Sequence, residues 1–241
     1  MSTVLVIAGS DSSGGAGIAR DLATLGVLKV HALCAVTAIT VQSETRVFQV
    51  QPLSAELVVA QIEASLARAP GAIKIGMLAN AAIVRAVAGT LPPQVPVVLD
   101  PVLAASSGAE LLDAAGRAAL PQLLPRVTLL TPNIPEAAQL LGTSPAEDEA
   151  TLVAQARALL ELGAAAVLVK GGHAHGPESV DLLVTRGQPV QRLRAVRRAG
   201  TRRGTGCALS SAIAAHLAQG MSVAESCARA KAHVDTLFAA D

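Results

Sequence analysis

The chain has no tryptophan or tyrosine and only two phenylalanines, Phe48 and Phe238. Proteins that bind single-stranded nucleic acid stack bases on aromatic rings, and this chain can hardly build such a platform. Any heterocycle it holds must rest on aliphatic side chains, methionine or peptide planes. Cysteine is scarce as well. Cys34, Cys207 and Cys227 are too few and too scattered for a disulfide framework or a zinc knuckle, which fits a reducing, cytoplasmic setting. Neither sign of charge dominates: the formal net charge is +1, so there is no global attraction to nucleic acid or to a membrane surface. No apolar run approaches the length of a membrane span. The run at residues 4–8 is too short for the core of a signal peptide and lacks a basic flank. Nucleic-acid and membrane partners are therefore not expected. No internal repeat, low-complexity linker or domain break divides the 241 residues, which suffice for one large α/β domain.

What is present is small, apolar and alternating. Hydrophobic residues make up 51% of the chain. Residues 3–8 form a continuous, largely β-branched run, the mark of a strand buried on both faces. A glycine- and serine-rich loop follows over 9–17, then a helix over 18–25. Further strands are predicted over 30–39, 72–76, 95–99, 127–130 and 165–170, with a short extended piece at 47–50 and a polar loop at 40–45. Helices are predicted over 54–67, 80–91, 111–124, 147–163, 208–220 and 223–238. Residues 181–184 and 189–196 read as a strand pair turned by Arg186-Gly187-Gln188. Strands alternating with helices from end to end predict a single doubly wound, mainly parallel sheet covered on both faces. In such a sheet the loops that follow the strands share one edge. The 9–17 loop, Gly76-Met77, Asp100, Asn133 to Glu136, Lys170 to His173 and Gly204 to Cys207 would then converge.

The stretch Arg203-Gly204-Thr205-Gly206-Cys207-Ala208-Leu209-Ser210-Ser211-Ala212 organises the rest. Glycines ahead of a helix let the backbone turn sharply and leave N–H groups pointing outward. The first helical turn also carries roughly half a positive charge, so the motif suits a phosphate or its transition state. A thiol in that turn should have its pKa pulled below about 8.5, making Cys207 a base or a nucleophile. The alternative is a tight helix start with Cys207 as a small core residue. The 9–17 loop is neither a Walker loop, since no Gly-Lys-Ser/Thr follows, nor a dinucleotide fingerprint, since it lacks the third glycine. Asn133 and Glu136 stand one helical turn apart. Oxygen ligands at that spacing suit a hard cation such as Mg²⁺, but by spacing alone an Asn cap with a first-turn Glu is the better reading.

Six motifs in order carry a family resemblance: Ala8-Gly9-Ser10-Asp11-Ser12-Ser13-Gly14-Gly15-Ala16-Gly17-Ile18 with Asp21; Lys74-Ile75-Gly76-Met77-Leu78; Leu99-Asp100-Pro101-Val102; Thr131-Pro132-Asn133-Ile134-Pro135-Glu136; Val169-Lys170-Gly171-Gly172-His173; and Gly204-Thr205-Gly206-Cys207-Ala208-Leu209-Ser210-Ser211. The set resembles the bacterial hydroxymethylpyrimidine/phosphomethylpyrimidine kinases of thiamin biosynthesis, in the ribokinase-like superfamily, and spans nearly the whole chain. The resemblance implies a three-layer αβα fold without a P-loop, a homodimer, and the use of ATP and Mg²⁺. It implies two successive phosphoryl transfers, to 4-amino-5-hydroxymethyl-2-methylpyrimidine and then to its monophosphate. By resemblance Gly204, Thr205 and Gly206 form an anion hole and Cys207 is catalytic. Asn133 and Glu136, with Asp100, match metal-water ligands. Lys170 matches a phosphate contact. Gly9, Asp21, Gln42 and Met77 match positions of the pyrimidine pocket.

Elementary chemistry agrees with these roles. Phosphoryl transfer needs positioning and charge neutralisation more than covalent chemistry. Gln42 offers a donor and an acceptor to an aminopyrimidine edge, and Met77 a polarizable surface to its ring. A Cys207 thiolate would take the hydroxymethyl proton. Some features depart from the family pattern. Thr201-Arg202-Arg203 stands where Asn-Thr-His is usual, Ala19 where Gln is frequent, and the chain stops soon after Ala230-Lys231-Ala232-His233-Val234. Six arginines lie from Arg192 to Arg203 and read as a solvated strand and loop, with Arg202 or Arg203 expected to hold ATP phosphates beside Gly204. His173 is expected at the nucleotide edge and His175 in a loop, with His31, His216 and His233 on the surface and Cys34 and Cys227 buried. The competing readings are a pyridoxal or pyridoxine kinase on the same scaffold, and a non-catalytic pyrimidine-binding sensor domain. Glu136, Lys170 and Cys207 together count against the sensor.

Overall fold

The apolar run near the amino end becomes β1 (Thr3–Asp11), and its side chains explain the layering. In the computed structural model, which describes residues 1–171, 178–196 and 203–238, Leu5 and Ile7 enter one apolar layer while Val4, Val6 and Ala8 enter the other. Successive strand residues point to opposite faces, so a strand covered on both sides must be apolar throughout. The remaining strands are β2 (His31–Gln42), β3 (Val47–Pro52), β4 (Ala72–Ile75), β5 (Val97–Leu99), β6 (Leu129–Leu130), β7 (Ala166–Val169), β8 (Glu178–Thr185) and β9 (Gln191–Val196). Among the described residues they form a nine-stranded sheet in the order β3-β2-β1-β4-β5-β6-β7-β8-β9. The block from β2 to β7 is parallel, and β3, β8 and β9 are antiparallel additions at its edges.

The helices are α1 (Gly17–Val27), α2 (Ala55–Leu66), α3 (Ala81–Thr90), α4 (Ala114–Ala119), α5 (Ile134–Leu141), α6 (Glu149–Glu161), α7 (Thr205–Ala218) and α8 (Val223–Leu237). Helices α2, α3 and α6 place Val58, Ile62, Ile83, Val84, Leu159 and their neighbours on one face of the sheet. Helices α1, α7 and α8 place Leu25, Leu209, Ala212, Ile213, Cys227 and Ala230 on the other. The fold is therefore three-layer αβα, as expected. Helix α7 is buried along residues 208–217. Alanine and serine make up most of that stretch, which lets it lie close to the sheet and to its neighbours α1 and α8. The chain leaves β1 toward β2 on one side and returns to β4 on the other. This reversal opens a crevice beyond the carboxyl ends of β1 and β4, the usual ligand position in open α/β sheets.

Four local expectations are corrected. Residues 40–42 are strand, because the backbone of β2 pairs with β3 through Thr40↔Val50, Val41↔Gln49 and Gln42↔Val47. An edge hairpin needs backbone partners and no apolar face, so its polar side chains misled the pattern. The helix predicted over 111–124 is only α4, followed by 3₁₀ turns at Leu120–Gln122 and Leu124–Arg126. Pro121 and Pro125 each lack the N–H an α-helix would use. His216 is buried rather than on the surface, and its ring lies 3.3 Å from the Gln219 side chain. Cys34 is only partly buried.

The tightness of the α7 layer gives a test. Ala212 has no exposed surface, so Ala212→Leu should overpack it and lower stability by about 1–3 kcal/mol. A urea unfolding midpoint that does not fall would contradict this close packing.

Candidate active site

Gly204 caps α7 with φ +74°, in the left-handed region that favours glycine. A Cβ there would also run into the Gly15 carbonyl oxygen, so the turn sits directly on the loop after β1. The first-turn N–H groups of Thr205, Gly206 and Cys207 have no acceptor one turn back and face the crevice end of the helix. A Cβ at Gly206 would lie 3.3 Å from Lys170 Nζ and 3.6 Å from Asp100 Oδ2. The glycine thus lets an ammonium and a carboxylate reach the turn from the neighbouring strand ends. Lys170 follows β7 and Asp100 follows β5, and two parallel strands deliver them to one point.

Lys170 Nζ donates to Asp100 Oδ1 at 2.7 Å and lies 3.7 Å from Glu136 Oε2. Burial alone would lower the Lys170 pKa, but the Asp100 and Glu136 carboxylates outweigh it and hold the ammonium above its ordinary range. Burial pushes the Glu136 carboxyl up, against the pull of Lys170 and with help from Asp100. Asn133 does something else. Its Oδ1 accepts the Glu136 N–H at 2.7 Å, and Glu136 Oε2 accepts the Asn133 N–H at 2.7 Å. This capping box starts α5. The cap that the spacing favoured for Asn133 is formed, and its amide oxygen is engaged with the helix. Glu136 Oε2 thus both closes the capping box and faces the Lys170 ammonium.

A second buried pair lies deeper. Lys74, on β4, binds both oxygens of Asp21, on α1, at 2.9 and 2.8 Å, and neither side chain has exposed surface. Ser211 of α7 donates to Asp21 Oδ1 at 2.7 Å. Burial would lower Lys74, and Asp21, Cys207 and Asp100 together hold it up instead. Asp21 was expected to touch the pyrimidine. It has no accessible surface, and its bonds to Lys74 and Ser211 link α1 to β4 and α7.

Cys207, in the first turn of α7, is partly buried. Its thiol pKa is pushed up to about 11: burial is the main cause, and Asp21 and Asp100 add to it. Lys74 and the Gly17 N–H pull the other way and do not win. The expected depression by the helix terminus is therefore corrected. The helix end offers partial charges, whereas desolvation beside two carboxylates penalises a full negative charge.

The other half of the crevice belongs to β1, β2 and β4. A Cβ on Gly9 would fall 2.6 Å from Met77 Sδ, so the absence of a side chain at Gly9 makes room for the thioether. Thr37 Oγ1 fixes Met77 by donating to its carbonyl at 2.6 Å. Gln42 ends β2, and its backbone is tied to Ser12, which donates to the Gln42 carbonyl at 2.9 Å and accepts from its N–H at 2.8 Å. Arg203, expected beside the nucleotide, reaches instead to Asp11, Ser13 and the Ser43 carbonyl. His173, His175 and Arg202 lie outside the described residues.

The structure thus brings Gly204, Thr205, Gly206, Cys207, Lys170, Asp100 and Glu136 together on one side, and sets Gly9 against Met77 on the other, with Gln42 tied to the loop after β1 through Ser12. Sequence reasoning gave no role to Lys74 or Ser211. Lys74 carried a signal: a lone charge in the apolar run Ala72-Ile73-Lys74-Ile75 must find a buried partner.

A raised thiol pKa leaves little thiolate below it. Alkylation of Cys207 by iodoacetamide, followed by peptide mass spectrometry, should therefore quicken about tenfold per pH unit without levelling off through pH ~8.5. A plateau at or below that pH would contradict the desolvated environment.

Comparison with known proteins fits this geometry. Residues 11–241 match the family model described as phosphomethylpyrimidine kinase. The hydroxymethylpyrimidine/phosphomethylpyrimidine kinase of Rhizobium meliloti is 44% identical over 240 residues, covering 98% of this chain and 90% of the relative. The crystal structure of phosphomethylpyrimidine kinase from Clostridium difficile superposes with TM-score 0.85 at 34% identity, covering 98% of this chain and 99% of that one. The pyridoxal kinase from Staphylococcus aureus in complex with AMP-PCP gives TM-score 0.89 at 33% identity, covering 99% of this chain and 88% of that one. A family model matched from the first crevice loop to the last residue, over a crevice that gathers that family's motifs, establishes that this chain belongs to the phosphomethylpyrimidine kinase family.

Proposed function

We propose that this kinase transfers the terminal phosphoryl group of ATP to the hydroxymethyl oxygen of 4-amino-5-hydroxymethyl-2-methylpyrimidine, and then transfers a second one to the monophosphate. The observation that carries the reading is the placement of the Lys170–Asp100 pair against Gly206. That placement sets a fixed positive charge beside the N–H groups of Thr205, Gly206 and Cys207, where negative charge spreads over the moving group. Lys170 would hold that group from the strand side and the helix turn from the other. Gly9 and Met77 would give the pyrimidine ring a flat, polarizable seat, and Gln42 would pair with its amino edge. Cys207 would face the acceptor oxygen as a thiol. In a loose phosphoryl transfer the acceptor loses its proton late, so a strong resident base is not needed.

The residues present fit Mg²⁺. Asp100 and Glu136 both lie near the Lys170 ammonium, and among the described residues no cluster of three or more His, Cys, Asp or Glu side chains could hold a metal by itself. One or two carboxylates with retained waters and phosphate oxygens is the usual Mg²⁺ arrangement. When bound, the ion would neutralise nucleotide charge and orient its oxygens. Use of ATP is further supported by the structural neighbour in complex with AMP-PCP. We also propose a homodimer. Ile39 and Val41 on β2 and Phe48 on β3 expose apolar surface along an outer hairpin, which suits a second copy. The free cysteines fit a reducing, cytoplasmic setting. Family membership favours the pyrimidine over pyridoxal as acceptor.

Incubation with ATP, Mg²⁺ and the free pyrimidine alcohol, with products resolved by mass spectrometry, should give the monophosphate and then the pyrophosphate. Pyridoxine offered in parallel should be the poorer acceptor. Phosphorylated pyridoxine without phosphorylated pyrimidine would overturn the reading.

A further inference from the structure

Arg203 directly precedes the glycine that caps α7, and its place in the chain points to the nucleotide. Its side chain goes the other way. Nη2 lies 3.2 Å from Asp11 Oδ2, and Nη1 donates to Ser13 Oγ at 3.0 Å and to the Ser43 carbonyl at 3.1 Å. These acceptors sit on two separate segments, the loop after β1 and the turn between β2 and β3. Asp11 is the organiser of the first. Its Oδ1 accepts from the N–H and the hydroxyl of Ser13, and its Oδ2 from the Ala16 N–H. The second segment begins at Gln42, already bound to Ser12. One guanidinium therefore joins both loops around Gly9 and Gln42 to the turn that forms the anion hole. The Arg203 side chain is 22% exposed and that of Asp11 5%, so the pair is shielded rather than a solvated surface contact. A planar fork of N–H donors can reach acceptors on two segments at once, which a single ammonium cannot reproduce.

We propose that Arg203 is a positioning residue for the acceptor: it clasps the pyrimidine-side loops to the anion-hole turn and so sets where the receiving oxygen stands relative to the transferred group. The proposal rests on the kinase reading above and adds to it which substrate this arginine serves. The clasp acts through Asp11, Ser13 and the Ser43 carbonyl, all on the acceptor half. Losing it should loosen the pyrimidine pocket and leave nucleotide binding intact. The same loops frame both transfers, so the effect should appear with the alcohol and with its monophosphate.

Steady-state kinetics with ATP and the acceptor varied separately test this. R203A should raise KM for the pyrimidine alcohol by about tenfold or more while KM for ATP stays within about twofold. R203K, which keeps the charge but loses the fork, should remain at least about threefold above wild type in acceptor KM. D11N should show the same acceptor-selective pattern, and serves if R203A does not fold. A rise in KM for ATP with the acceptor KM unchanged overturns the clasp, as does an R203A enzyme with both constants unchanged. A wild-type protein that phosphorylates no pyrimidine overturns the kinase reading itself. An active wild type whose R203A variant shifts only ATP overturns the clasp alone.

Discussion

The constraint on which the rest of the structure depends is the need to keep two ammonium groups charged inside an apolar sheet. Lys170 is held by Asp100 and lies near Glu136, and Lys74 is enclosed by Asp21. Moving such charges out of water costs several kcal/mol per ion, and a pair breaks even only when its geometry is good and its spare oxygens are bonded. The fold meets that condition with one helix. Ser211 of α7 donates to Asp21, while Ser210 of α7 and Thr131 reach Asp100 at 3.4 Å each. A hydrophobic replacement would hold the layers together equally well. What the charges provide is two ammonium groups held at fixed points around the first turn of α7, each beside its carboxylate partner.

Burial, together with the carboxylates of these pairs, also explains why the helix terminus does not make Cys207 a thiolate. The charges around the sulfur include two carboxylates as well as Lys74, and burial adds to the cost of a further anion. If the proposed reaction brings a highly negative phosphate to this turn, a neutral thiol there serves it better than a resident anion. The same reasoning separates the halves of the crevice. The half gathered at the ends of β5 and β7 is charged. The other half, proposed above to take the acceptor, sets Gly9 and Met77 beside the polar loops of Asp11, Ser13 and Gln42, and is tied to the first by Gly204 resting on Gly15 and by Arg203 reaching to Asp11.

The layering and the convergence of loops were legible because both follow from alternation: apolar strands between amphipathic helices can close only one way, and that way gathers the strand ends. The glycine turn before α7 was legible for the same local reason that glycine is needed there. What escaped was side-chain direction. Asp21 lies in a recognisable motif, yet nothing in its neighbours says that it faces inward to Lys74. Arg203 adjoins the anion hole in the chain, but its long side chain spans to the opposite loop. The spacing of Asn133 and Glu136 suited both a cap and a cation, and the cap, which the spacing favoured, is the arrangement formed. Residues 40–42 are strand through pairing with β3, a contact that no local pattern encodes.

The central claim is that the Lys170–Asp100 pair works on the reaction rather than on the fold. The most direct measurement is kcat in the double variant Lys170→Met/Asp100→Asn, which removes both charges together, while Glu136, whose carboxyl pKa burial already pushes up, can take up a proton in place of its lost neighbour. Stability should then change little, while kcat should fall by about 100-fold or more. A folded double variant with kcat within about threefold of wild type would contradict the account.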